Sequence, residues 1–172
     1  MRRVLRLHPD SRSAAVTRIE VEVERPRPGS LQLTYLVTGT IGDLRLPPLE
    51  PPERADALWQ HTCFEAFVRG SPGEAYYEFN FAPSTKWAAY RFDSYRAGMR
   101  VAGEIRAPRI EVQSGAERYA LQASLELGDA ALRLGLTAII EESNGNKSYW
   151  ALNHPPGKPD FHHSDCFVLE FP

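Results

Sequence analysis

The stretch Ser148–His163, SYWALNHPPGKPDFHH, gathers a tryptophan, a phenylalanine, an aspartate and three histidines. Residues of these types build catalytic centres, metal sites, haem pockets and sugar platforms. A metal site would draw on Asp160, His162, His163 and Asp165 in DFHHSD. Neighbouring residues of an extended segment point to opposite sides, while zinc asks for three or four convergent ligands. The run alone supplies two, so loop histidines bonded to backbone are expected and no metal is assigned. Glu65 and Glu78 are the candidate carboxylate pair. Glycoside hydrolysis needs two carboxyls ~5–10 Å apart across the scissile bond. The chain has no nucleophile motif, no Gly-rich phosphate loop and no Ser/His/Asp signature. No catalytic residue and no cofactor are assigned, and the expectation is that the chain is not an enzyme.

Alternation of apolar and polar residues dominates the chain and predicts strands. RIEVEVER sets Ile19, Val21 and Val23 against Glu20, Glu22 and Glu24, and LQLTYLV repeats the pattern with Leu31, Leu33, Tyr35 and Val37. TCFEAFV puts Phe64, Ala66 and Val68 on one face and Cys63, Glu65 and Phe67 on the other. AYYEFNFA puts Tyr77, Phe79 and Phe81 inward, with Tyr76, Glu78 and Asn80 outward. Further strand-like runs are RVLRL, KWAAYRF, RIEVQ, RYALQASLEL, LGLTAIIEE, KSYWAL and CFVLEF, about ten in all. PERADALWQ and LGDAALRLG each have room for one helical turn. The prolines gather in RPRPG, LPPLEPPE and HPPGKP, which are therefore loops or strand boundaries, since proline cannot donate to a sheet ladder. LPPLEPPERAD reads as a long loop within one domain spanning residues 1–172. The fold class expected is all-β: an antiparallel sandwich of the jelly-roll or immunoglobulin-like kind with little helix.

The short connection GSPGE predicts pairing of the strands that carry Glu65 and Glu78. Glu65, Glu78 and Asn80 then share one face with Tyr76 and Phe67. Eleven of the eighteen aromatic residues lie between Trp59 and Tyr95 and five between Tyr149 and Phe171, so rings flank that face. A water-facing patch of hydrogen-bonding side chains among rings suits a sugar: carboxylates and amides hold hydroxyls, and a flat ring covers the C–H face. Trp150 is expected in the core. The loop NHPPGKPDFHH, stiffened by proline, suits recognition because it loses little entropy on binding.

The chain has 172 residues and a formal net charge of −2. At this size folding removes roughly 70% of the unfolded surface from water, so no staple is needed. The charge balance gives no footprint for nucleic acid, and no apolar run reaches the ~20 residues of a membrane helix. MRRVLRLHPDS has no apolar stretch behind its arginines and is not a secretory signal, so a cytoplasmic location is expected. Cys63 and Cys166 each sit in an apolar run and read as buried free thiols.

Three segments resemble DOMON-like domains and the related family 9 carbohydrate-binding modules. LWQHTCFEAFV, residues 58–68, has the form of the strand that opens their core: a Trp, then a Glu six positions on, then an apolar residue. YYEFNFAPSTKWAAYRFDSYR resembles the next strand pair, and GLTAIIEESNGNKSYWALNHPPGKPDFHHSDCFVLEF the last three strands. The likeness is nearest to a bacterial, uncharacterised branch. It implies a β-sandwich that recognises a ligand without chemistry, most plausibly a carbohydrate clamped between an early and a late aromatic. Trp59 matches the first aromatic and Glu65 the carboxylate that holds hydroxyls. Phe161 stands where the family has a Trp, with His162 beside it, and Asn153 or His154 supplies polar contacts. The expected ligand-binding set is Trp59, Glu65, Asn80, His154, Phe161 and His162. The competing readings are a partner-binding scaffold whose Pro-rich loop fills the groove, and haem held by a pair from His61, His154, His162 and His163.

Overall fold

A computed structural model describes residues 1–70, 72–128 and 131–171. The described residues form twelve strands: β1 Arg2–Leu7, β2 Val16–Glu24, β3 Ser30–Gly39, β4 Cys63–Gly70, β5 Tyr76–Phe81, β6 Trp87–Phe92, β7 Arg100–Val101, β8 Arg109–Ser114, β9 Arg118–Glu126, β10 Leu132–Glu141, β11 Lys147–Ala151 and β12 Leu169–Phe171. Among the described residues helix is confined to three short 3-10 turns at Ile41–Asp43, Leu58–Gln60 and Ser164–Cys166. The turn at Leu58–Gln60 falls inside PERADALWQ, as its sequence predicts. In LGDAALRLG, Leu132 onward is strand; the one turn expected in this stretch falls on residues that include 129 and 130, which lie outside the described residues. No helix among the described residues is long and apolar enough to cross a membrane.

All ladders are antiparallel, in the order β7-β6-β5-β4-β10-β11-β1-β2-β3-β9-β8, with β12 added to β10. The sheet curls into two facing leaves joined by β1. Arg2–Leu5 pairs with β2, while Arg6 and Leu7 pair with Ala151 and Trp150 of β11. The first leaf, β1-β2-β3-β9-β8, turns Ile19, Val21, Val23, Leu33 and Leu121 inward, as alternation requires. The second leaf meets them with Phe64, Ala66, Val68, Phe79, Leu134, Leu136 and Ile140. The Phe64 ring lies 5.1 Å from Tyr35 of β3 and 6.0 Å from Tyr119 of β9, which locks the leaves together. Tyr35 donates its buried hydroxyl to the Glu65 carbonyl at 2.6 Å. Trp150 joins this core, with its indole N–H donated to Ser148 Oγ at 2.9 Å.

The Pro-rich segment after β3 docks along β6. Trp87 N donates to Glu53 O at 3.1 Å, Ala55 N donates to Trp87 O at 2.9 Å, and Arg54 lies 4.1 Å over the Trp87 ring. Its far end delivers the Leu58–Gln60 turn. Ala57, just before that turn, is one of three described non-glycine residues in the left-handed region, at φ 58°.

The second leaf is buried on both faces, which corrects the expectation of a water-facing patch. Glu65, Glu78 and Asn80 are 2%, 6% and 0% exposed. Their phase is as alternation predicts, on the face away from Phe64 and Phe79, and the register sets Glu65 opposite Asn80 and Phe67 opposite Glu78. The reason is the cover. Residues 152–168 leave the sheet after β11 and cross that outer face before returning as β12. Phe161 and Phe167 pack there on Phe67, Tyr76, Tyr90, Phe92 and Ile139 as a second apolar cluster. Gly135 allows the crossing: a Cβ at that position would stand 3.0 Å from the Cys166 carbonyl oxygen.

The crossing loop is tied to itself and to the sheet. Cys166, a free buried thiol, lies 3.3 Å from the Asn153 carbonyl and 3.2 Å from that of Asp160. Burial, then Asp160 and Asp165, push the thiol up to about 12, so it stays a neutral donor. Asn153 Nδ2 donates to Asp165 O at 3.0 Å. Asp160 accepts from Arg96 Nη2 at 2.8 Å and from Tyr95 OH at 2.5 Å, which fastens the loop to the segment after β6.

Candidate functional site

Between the outer face and the crossing loop lies an open cavity of about 530 Å³. Glu65 and Glu78 line its floor; Phe67, Phe92, Ile139, Tyr149 and Phe161 its walls; Trp59, Arg96, Met99 and Lys147 also border it. The volume falls within the ~300–1,000 Å³ usual for small-ligand sites. Trp59 is half exposed, whereas Phe161 is nearly buried. Thus the two rings, from loops far apart in sequence, border one space.

The floor is polar and only partly satisfied. Glu65 accepts from Thr137 Oγ1 at 3.0 Å with one oxygen. Its other oxygen has no hydrogen bond among the described residues. Glu78 accepts from Asn80 Nδ2 at 3.0 Å, and the Asn80 Oδ1 is buried without a partner. Taking a carboxylate out of water disfavours its charged form. Burial therefore pushes Glu78 up to about 7, against a smaller pull from Asn80 and Arg96. Glu65 is driven well above the usual carboxylate range by burial and then by the nearby Glu78.

His162 stands between the floor and the loop. Its Nδ1 is 2.8 Å from Tyr76 OH, and that hydroxyl already accepts from Arg96 N at 3.2 Å. Tyr76 therefore donates to Nδ1, and the network assigns the ring hydrogen to Nε2, which lies 3.6 Å from Glu78 Oε2. Burial and then Arg96 lower the imidazole to about 4, so it is neutral. The edges of Phe67 and Phe92, each 5.0 Å away between centroids, pin the ring. Arg96 adopts φ 53° in the left-handed region. Together with Ala57 it puts two of the three such non-glycine residues at or beside the cavity. Strain of this kind costs about 1–3 kcal/mol per residue and persists where surrounding contacts enforce it.

Of the six residues named from sequence, Trp59, Glu65, Phe161 and His162 border the cavity. Asn80 lies behind the floor, with its Nδ2 donated to Glu78. His154 is not brought there: its Nε2 is 2.8 Å from Arg6 O and its ring meets the His8 edge at 4.8 Å, on the side toward β1. Asn153 is likewise turned to the Asp165 carbonyl. His61 pairs with Glu141 at 2.7 Å. Among the described residues no group of three His, Cys, Asp or Glu could hold a metal ion. The cavity also takes in Phe92, Arg96, Met99, Lys147 and Tyr149, which the sequence reading passed over. Tyr149 alternates with Trp150 in KSYWA and was legible in principle, whereas Arg96 sits in a loop with no periodic signal.

The fold has a solved counterpart. A crystal structure of a Bacteroides uniformis protein, described as a putative carbohydrate-binding protein, is similar to this chain with a TM-score of 0.68 at 12% identity. The match covers 97% of this chain and 84% of that one. At such identity the likeness is one of fold. No protein-family model matches the chain, and no curated protein does.

Proposed function

We propose that the chain is a DOMON-like module, related to family 9 carbohydrate-binding modules, that holds a carbohydrate in the cavity without transforming it. The observation that carries this reading is the meeting of Trp59 and Phe161 around a floor of Glu65 and Glu78. Rings give a pyranose its apolar contact, and the underused acceptors of the floor take its hydroxyls. The crossing loop is already ordered by the Cys166, Asn153 and Asp160 bonds, so binding freezes little further motion. Similarity in fold to a protein described as carbohydrate-binding supports the same reading.

A glycan array followed by calorimetry tests it. Binding of a mono- or oligosaccharide by the unaltered chain is expected, with Trp59→Ala weakening it at least about tenfold, or about 1.4 kcal/mol. Retention of full affinity in Trp59→Ala, or silence across the array, defeats the proposal.

A further inference from the structure

The wall that β11 gives the cavity carries a positive charge with no counterpart among the described residues. Lys147 and Tyr149 alternate onto one face of β11, and both line the space. Lys147 stands directly opposite Glu141 of β10, and opposite residues of a ladder share a face. Both Glu141 oxygens are taken, one by Arg45 at 2.8 Å and the other by His61 at 2.7 Å. Lys147 is left half-buried, without an ion pair among the described residues. The other cation of the lining, Arg96, is balanced by Asp160 at 2.8 Å, and Asp160 stands outside the lining. The floor does not neutralise Lys147 either. Burial pushes Glu78 up to about 7 and Glu65 well above the usual carboxylate range, so at pH 6 both carboxyls are predominantly uncharged. Spare donors stand beside the ammonium. The Trp59 indole N–H, the Gln60 amide and the Tyr149 hydroxyl have no hydrogen bond among the described residues. His162 Nε2 lies 3.6 Å from Glu78 Oε2, beyond hydrogen-bond reach.

We propose that the cavity takes an acidic sugar, a pyranose bearing one carboxylate, with that carboxylate at Lys147 and the hydroxyls over the floor. This inference rests on the carbohydrate reading and narrows it. A carboxylate is acceptor-only and has two oxygens, so it can meet the ammonium and one of the spare neighbouring donors together. Its single charge matches the single unpaired lysine, whereas a doubly charged phosphate leaves one negative charge beside the two floor acids. Hydrogen bonds between ionised partners are about twice as strong as neutral ones. The gain is larger here than at an open surface, because the walls of Phe67, Phe92 and Phe161 keep water from one side of the pair. The division of labour is thus spatial: β11 selects the charge, while β4 and β5 read the hydroxyls.

Calorimetry at pH 6 tests this, with glucuronic and galacturonic acid set against glucose and galactose, and with acetate and glucose 6-phosphate alongside. Each acid is expected to bind at least about tenfold more tightly than its neutral parent. Lys147→Gln should abolish that difference, and Lys147→Arg, which keeps the charge, should retain most of it; melting temperatures report whether each variant folds. Should neither fold, the ligand series on the unaltered chain still decides. Acids that bind no better than their neutral parents overturn the inference and leave carbohydrate recognition standing. A preference that survives in folded Lys147→Gln does the same, as does glucose 6-phosphate binding more tightly than either acid. Acetate binding as tightly as the acids, or absence of binding by all six, removes the inference and the carbohydrate reading together.

Discussion

The two faces of β4 are built from one alternating run, yet they do opposite work. Toward the first leaf, Phe64, Ala66 and Val68 enter a core that is almost wholly apolar. Toward the crossing loop, Cys63, Glu65 and Phe67 are as deeply buried, but beside a carboxyl with one oxygen unbonded and a cavity of about 530 Å³. The inner face gains stability from each methylene it hides. The outer face gives some of it back by hiding two acids, since an isolated buried carboxylate is costly enough that the group neutralises instead. Burial is therefore not one condition. On the inner face it makes the fold, and on the outer face it makes a site poised to accept a donor.

The sharpest break of that contrast is Phe64→Ala. It deletes the ring that bridges Tyr35 and Tyr119, and a fall in unfolding free energy of about 3–5 kcal/mol is expected, read by urea denaturation. The next largest effect is that of pH. Glu78 sits at about 7 in the folded chain against an ordinary value of 4.5. The folded state thus holds more protons than the unfolded one between those limits, and this group's contribution is full below 4.5 and lost as pH rises to 7. The linked loss is about 3 kcal/mol, in the same direction as that from Glu65. His162 opposes it: lowered to about 4 from 6.5, it contributes fully above 6.5 and loses that contribution as pH falls toward 4. Denaturation of the unaltered chain and Glu78→Gln across pH 5–8 should show the variant gaining relative stability as pH rises. Parallel curves would mean that Glu78 titrates normally and that the two faces differ less than their geometry says. The smallest expected effect on stability is Trp59→Ala. The side chain is half exposed, so the melting free energy should move by less than about 1 kcal/mol while ligand affinity falls. A large loss of stability would place Trp59 with the structural residues.

Alternation made the strands and their phase readable, because in a ladder each residue's side is fixed by its neighbour's. Ile19, Val21, Val23, Phe64 and Phe79 are where period two puts them, and Trp150 is in the core. The same pattern placed Glu65, Glu78 and Asn80 together, but it carries no information on what covers a face. The cover is the irregular segment 152–168, held by a thiol, an asparagine and an aspartate, and no period announces such contacts. Hence an interior floor was read as a surface patch. His154 was misplaced for a related reason: in a loop that folds back on itself, nearness in sequence to Phe161 does not set which wall a side chain faces. Arg96 and Met99 were passed over because their loop reaches the cavity only through the tie between Asp160 and the Tyr95–Arg96 pair.

The seam formed by β1 has a kinetic consequence. Arg3 is matched to Val21 close by in the chain, but Leu7 is matched to Trp150 far along it. The curl between the leaves therefore closes only after β11 has been synthesised and has found β1. Until then the edges of both strands stand open to any other chain with a free ladder. Pairings this distant in sequence slow folding, so misassembly during synthesis, more than loss of the finished structure, is where this architecture is most exposed.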